Sequence, residues 1–236
     1  MRVSKLRKNS DYIKIFAWIS YAVGTLFFGT YAVFEIIPGF QLSTFGRLFL
    51  LGGCCLFLWL GGFLLAKQSG NNRPMRINLW IFIGLFLLLF ATLTLFDPMW
   101  GRNGGFVIWN KELFGNYAEN QLNLVPFKTI IQFFRNGTFR TFLVNIIGNL
   151  ICLMPLGILL PLAFEKQRKT WFFLLTVSLV VILVEFLQFA TLAGSCDIDD
   201  LILNVSGAFL IYIFTKNKEA FSFLKYIFLL EREGEI

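Results

Sequence analysis

The stretch Gly194–Gly207, "GSCDIDDLILNVSG", places Asp197, Asp199 and Asp200 at the mouth of an apolar run, with Asn204 one turn deeper. Charge is scarce elsewhere. Of 236 residues only 15% are charged, 57% are hydrophobic, and Phe alone occurs 30 times. A soluble domain is about a quarter charged, so this composition belongs to the membrane class. In lipid every backbone N–H and C=O must be satisfied within the chain, which leaves helices or a closed barrel. The apolar runs are continuous rather than alternating, and continuity selects helices.

A spanning helix takes roughly 20 mostly apolar residues. Six runs qualify, at 13–36, 44–66, 78–96, 142–164, 171–192 and 201–215; the last is short, and its start reaches back into the acidic stretch. The predicted fold is an all-α integral membrane protein, a bundle of about six transmembrane helices. It divides into a three-helix part at 1–96, an extracellular loop at 97–141, a core at 142–215 and a cytoplasmic tail at 216–236. The first run follows the basic start "MRVSKLRKN". It is long and lacks a small-x-small cleavage site, which predicts an uncleaved first helix.

Lys and Arg set the orientation. Fifteen of the 21 cationic residues fall in the N-terminal segment, the loop "AKQSGNNRPMR", the loop "EKQRK" and the tail. The other side holds Arg47, Arg102, Lys111, Lys128, Arg135 and Arg140, five of them in one long loop that weighs little. Both termini are therefore expected in the cytoplasm, with the acidic stretch facing outside. The net charge of +7 follows from the same rule and requires no nucleic acid. The chain has no His, which removes the commonest general base and metal ligand. Cys54, Cys55, Cys152 and Cys196 have neither zinc nor disulfide-framework spacing and read as small packing residues.

The run "GRLFLLGGCCLFLWLGG" in the second span offers a glycine-rich surface for close helix packing. The long loop opens with the turn formers "DPMWGRNGG" and continues with "NLVPFKTIIQFFRNGTFRTF". Pro126 suits a first helical turn, and Phe127, Ile130, Ile131 and Phe134 then share one face. This predicts an amphipathic interfacial or re-entrant helix ended by "RNGT", where Asn136-Gly137-Thr138 fits a glycosylation acceptor but reads as a turn.

The spans carry few polar residues, and those few are patterned. Glu185 is the one acid well inside a span, because a charge near the bilayer centre costs about 2.5–3.5 kcal/mol. Gln188 lies on the same face three residues on. Asn145 and Asn149 are four apart in the fourth span, with Pro155 interrupting the helix beyond them. Asp200 and Asn204 are four apart in the sixth span, and Gly207 continues that stripe. Three consecutive helices thus present polar stripes, which predicts one pocket open to the outside. Glu185 is expected about 10 Å below the acids at 1.5 Å rise per residue. Their mutual repulsion calls for a protonated Glu185, a bound cation, or Arg135 or Arg140 folded over the site. Singly, Asp197 or Asp199 also suits a helix N-cap, and the Asn residues suit interhelical hydrogen bonds.

Taken in order, "NLVPF" (123–127), "NIIGNLICLMPLGILLP" (145–161), "EFLQ" (185–188) and "CDIDDLILNVSGAFLIY" (196–212) resemble the VanZ-like family of small membrane proteins. The resemblance covers about 123–215. It implies low-level resistance to lipoglycopeptides of the teicoplanin type in a Gram-positive cell envelope. It carries candidate functional roles to Asn123, Asn145, Asn149, Glu185, Gln188, Asp197, Asp199, Asp200 and Asn204. Many members have an Arg just before the acids. This chain has "LAGSC" there, so Arg135 or Arg140 is the candidate supplier of that charge.

Three functions compete at this point. A binding or shielding protein would hold a lipid, a cell-wall precursor or the antibiotic's acyl chain, with Asn123, Asn145, Asn149, Gln188, Asn204, Arg135 and Arg140 as ligand contacts. A metal-dependent membrane enzyme would act on a phospholipid or polyprenyl-phosphate-linked substrate, with Glu185, Asp197, Asp199 and Asp200 as catalytic candidates. Asp197, Asp200 and Glu185 would then hold Mg²⁺ or Mn²⁺, for which oxygen donors are suited. A small proton-coupled transporter is the third reading.

Overall fold

The computed structural model describes residues 2–37, 40, 42–96, 114, 115, 117, 119, 121–192 and 194–230, without the side chains of 2–10. The "DPMWGRNGG" turn with Arg102, and Lys111, lie outside the described residues. The elements are α1 (Arg2–Ile36), α2 (Thr44–Ser69), α3 (Arg73–Phe96), β1 (Leu122–Asn123), α4 (Lys128–Asn136), α5 (Phe139–Phe142), α6 (Gly148–Cys152), α7 (Leu156–Ala163), α8 (Thr170–Ala190), β2 (Cys196–Asp197), α9 (Ile198–Phe214) and α10 (Lys218–Ile227).

Five helical stretches are long and apolar enough to cross a membrane: Asp11–Ile36, Thr44–Ser69, Arg73–Phe96, Phe139–Ala163 and Thr170–Ala190. A sixth arises if α9 and α10 are counted as one broken span. The 17 residues of α9 reach roughly 26 Å at 1.5 Å per residue, just short of the hydrocarbon core. Large apolar side chains such as Phe45, Phe49, Trp80, Leu179, Phe186 and Phe214 face outward, as lipid-facing residues do.

The chain forms two compact units, residues 1–89 with 218–236, and residues 90–217. In the first, Ser43 caps α2 by accepting from the Gly46 N–H at 3.1 Å, and Gly70 ends it in the left-handed region at φ 65°. The expected glycine surface is real. A Cβ on Gly61 would lie 2.9 Å from the Tyr21 ring and 3.0 Å from the Ala17 carbonyl, so α1 packs directly on the α2 backbone. Asn78 ties three helices, donating to the Leu58 carbonyl at 2.5 Å and accepting from the Tyr21 hydroxyl at 3.2 Å. Arg47, counted among the outer-side cations, has a counter-charge beside it. It is buried in α2 and pairs with Glu35 at 2.5 Å. The pair is electrically neutral, so Arg47 adds no net charge at that end of α2.

In the second unit the fourth span is broken twice. Leu143–Ile147 forms a π-turn, and Leu153–Pro155 forms a turn where Pro155 has no N–H to continue the ladder. Its halves pack on α9, with Gly207 at the contact. A Cβ there would overlap the Leu150 carbonyl oxygen. Gly207 is therefore a packing contact and does not extend the polar stripe. At the other end of α9, the Tyr212 ring stacks on Phe173 of α8 at 4.2 Å, and its hydroxyl donates to the Arg168 carbonyl at 2.7 Å. The sequence gives no sign of one feature: β1 and β2 pair in parallel, Leu122 opposite Cys196 and Asn123 opposite Asp197.

Candidate functional site

The β1–β2 pairing joins "NLVPF" to "CDIDD", and the acids divide their work there. Asp197 is the N-cap of α9. Its Oδ1 accepts from its own helix at the Asp199 N–H and from Asn123 Nδ2, both at 2.9 Å, and its Oδ2 accepts from Thr129 Oγ1 at 2.5 Å. Asp199 turns the other way and caps α4. Its Oδ1 accepts the Phe127 N–H at 2.5 Å, and its Oδ2 accepts the N–H groups of Thr129 and Ile130 at 2.8 and 3.0 Å. Three charge-assisted bonds to one carboxylate hold Phe127 at φ 65°, a conformation a bulky residue adopts only under constraint. Asp199 is a positioning residue for α4.

These placements correct the expectation that all four acids face one pocket. Asp197 and Asp199 are 6% and 1% exposed, and their oxygens are occupied by the chain's own donors. They also correct the expected depth of Glu185. The chain turns back after α8 at Thr191–Leu192, and the Asp197 N–H donates to Glu185 Oε2 at 3.1 Å. Glu185 and the acidic stretch meet at one level rather than about 10 Å apart.

A small chamber is lined by Asn149 of α6, Glu185 and Gln188 of α8, Asp200 and Asn204 of α9, and Phe90 and Thr94 at the end of α3, with Val181 and Val184. The three predicted stripes do converge, through five of their residues. Asn149 Nδ2 donates to Asp200 Oδ1. Gln188 Nε2 donates to the Thr94 carbonyl and Asn204 Nδ2 to the Asp200 carbonyl, each at 2.8 Å. The amide oxygens Gln188 Oε1 and Asn204 Oδ1 are buried with no hydrogen-bond partner. The chamber volume is about 20 Å³, room for one water-sized centre.

Other expected members lie elsewhere. Asn145 donates back to the Thr141 carbonyl at 2.9 Å and does not line the chamber, because the π-turn shifts it out of register with Asn149. Asn123 belongs to the β1–α4 anchor. Arg135 and Arg140 are exposed, and among the described residues neither pairs with an acid. Neither guanidinium folds over the site. Of the metal candidates Asp197, Asp200 and Glu185, only Asp200 and Glu185 line the chamber. No group of three or more His, Cys, Asp or Glu among the described residues could hold a metal, and Asp197 is committed to its caps. Thr129 and Thr94 are the members that sequence reasoning misses, since a threonine in a helix carries no signal of its own. Cys196 reports the local field: burial pushes its thiol pKa up, and the charges of Glu185, Asp197 and Asp200 push it further.

The fold defines a helical protein with several membrane-length spans and a buried polar chamber in its second half. A model of the VanZ/LLP1 family matches residues 82–222, and the chain belongs to that family. Membership associates it with membrane proteins linked to antibiotic resistance. No curated protein and no solved structure matches the chain.

Proposed function

We propose that this chain is a multi-pass cell-membrane protein, both termini cytoplasmic and the acidic site at the outer face. It contributes to resistance against lipoglycopeptides such as teicoplanin. It does so by engaging a lipid, a cell-wall precursor or the antibiotic's acyl chain at the outer leaflet. One observation carries this reading. The amphipathic α4 and its N-cap expose Phe127, Ile131 and Phe134, and the same acidic stretch that bounds the chamber tethers them. The chamber is too small for a head group, so the bulk of the ligand lies along α4. The exposed Arg135, in α4, and Arg140, in α5, supply charge for an anionic group. The test is expression in a susceptible Gram-positive host. Teicoplanin tolerance rises with the wild-type chain, rises less for a glycopeptide lacking the acyl chain, and falls back in Asp200→Asn at equal membrane abundance. No rise with the wild-type chain, or full protection by Asp200→Asn, refutes the proposal.

A second reading, a metal-dependent membrane enzyme acting on a phospholipid or polyprenyl-phosphate substrate, is favoured by two carboxylates beside two unsatisfied amide oxygens in the chamber. A product formed only with divalent metal distinguishes it from shielding.

A further inference from the structure

We infer that the chamber between α6, α8 and α9 is a binding site for one largely dehydrated divalent cation, held by Glu185, Asp200, Gln188 and Asn204. The amide orientations come first. Gln188 Nε2 faces the Thr94 carbonyl and Asn204 Nδ2 faces the Asp200 carbonyl. A carbonyl only accepts, so each NH₂ must stay there and each amide oxygen must point away from it. Those two oxygens, on side chains 2% and 4% exposed, have no donor. Leaving a buried acceptor unsatisfied costs about 1–3 kcal/mol, and here the two side chains that carry such acceptors line one cavity.

The remaining walls supply acceptors as well. Glu185 and Asp200 are carboxylates, the Asn149 amide is turned to Asp200, and the Thr94 hydroxyl donates to the Phe90 carbonyl at 2.7 Å. No Lys or Arg lines the chamber. A site rich in oxygen acceptors with two acids calls for a positive centre. A water would satisfy two acceptors and leave the acids' repulsion untouched. A dication neutralises both carboxylates in a region of low dielectric. All donors are hard oxygens, which excludes a thiolate-seeking metal. At about 20 Å³ the chamber admits the ion but not its water shell. Mn²⁺ and Ca²⁺, which accept protein oxygens in place of water, fit better than Mg²⁺, which sheds water reluctantly. The donor set excludes Asp197 and Asp199, whose oxygens hold α9 and α4.

The inference rests on the proposed reading for the importance of this site. Metal binding is measured without antibiotic, so the two can fail separately. Full-length protein in detergent is stripped with a chelator and titrated with Mn²⁺, followed by its electron paramagnetic resonance signal. The expected result is one Mn²⁺ per chain, displaced by Ca²⁺ and not by K⁺. Glu185→Gln should abolish binding. Gln188→Met, which keeps the volume and removes the amide oxygen, should weaken it at least about 10-fold while the size-exclusion profile stays wild type. Asn204→Leu should act like Gln188→Met. Absence of a bound Mn²⁺ in the wild type overturns the inference. So does binding that Gln188→Met and Asn204→Leu leave unchanged, or a Gln188→Met protein that is simply more stable while the wild type ignores metal. The last result assigns the chamber to a water.

Discussion

Asp199→Ala tests whether the acidic stretch serves first as an anchor. The carboxylate is 1% exposed and accepts three backbone N–H groups of the Phe127–Ile130 turn at 2.5, 2.8 and 3.0 Å. A hydrogen bond to a charged group contributes about 1.5–3 kcal/mol. The three share one acceptor, and water can reach exposed α4 once it loosens. A total of about 3–5 kcal/mol is therefore expected rather than a simple sum. Because 1.4 kcal/mol is a factor of ten, opening of the first turn of α4 should become about 10²- to 4 × 10³-fold more frequent. Hydrogen exchange read by mass spectrometry in nanodiscs measures this over 126–136, with 170–190 of α8 as the internal comparison. Asp199→Asn, which keeps one acceptor oxygen, should fall between wild type and Ala. Exchange in α4 that Asp199→Ala leaves unchanged would refute the anchor and return Asp199 to the catalytic candidates.

Gly207→Leu should lower the thermal midpoint and weaken resistance, because its side chain must displace the Leu150 backbone; overpacking typically costs about 1–3 kcal/mol, and a backbone obstacle puts this case at the upper end. Glu35→Gln should destabilise by about 3 kcal/mol in detergent unfolding, since it removes the carboxylate that neutralises buried Arg47, and Glu35→Gln with Arg47→Met should recover most of that loss. Equal losses in the single and double variants would contradict a buried pair. The thiolate is the reactive form, and the Cys196 pKa is raised, so its maleimide rate in a protein with Cys54, Cys55 and Cys152 changed to Ala should lag an ordinary thiol and climb at higher pH. Asp200→Asn removes one contributing charge and should move the curve back toward lower pH; a rate profile matching a free cysteine in the unsubstituted background would show that the acids do not surround the thiol.

Much of this was legible in the sequence because lipid enforces simple rules. Run length marks the spans, and rarity of charge makes Glu185 conspicuous. Spacing of three and four puts Gln188 beside Glu185 and Asn204 beside Asp200, and all four do meet Asn149 in one chamber. The same spacing fails for Asn145, since a π-turn has no composition of its own and shifts the register by one residue. It fails again for Asp197 and Asp199, whose partners Asn123, Thr129 and the Phe127 N–H lie some 70 residues earlier. Pairing across that distance depends on the two-residue β1–β2 bridge, too short for any alternation to announce it. Arg47 counts as an outer-side cation until Glu35 is seen opposite it, because a salt bridge between two helix ends is invisible to a residue count. The amphipathic α4 is read correctly from its periodicity, although it begins at Lys128, two residues beyond Pro126.

The shared chamber is tested most directly by a double-mutant cycle between Asn149, on the broken fourth span, and Asp200, on α9. The two side chains are hydrogen-bonded across 51 residues of sequence. With Asn149→Ala, Asp200→Ala and the double variant unfolded in the same detergent, the account predicts a coupling of about 1.5–3 kcal/mol, the worth of a charge-assisted bond out of water. Additive losses, agreeing within about 0.3 kcal/mol, would place the two residues in separate environments and remove the chamber on which the proposed function rests.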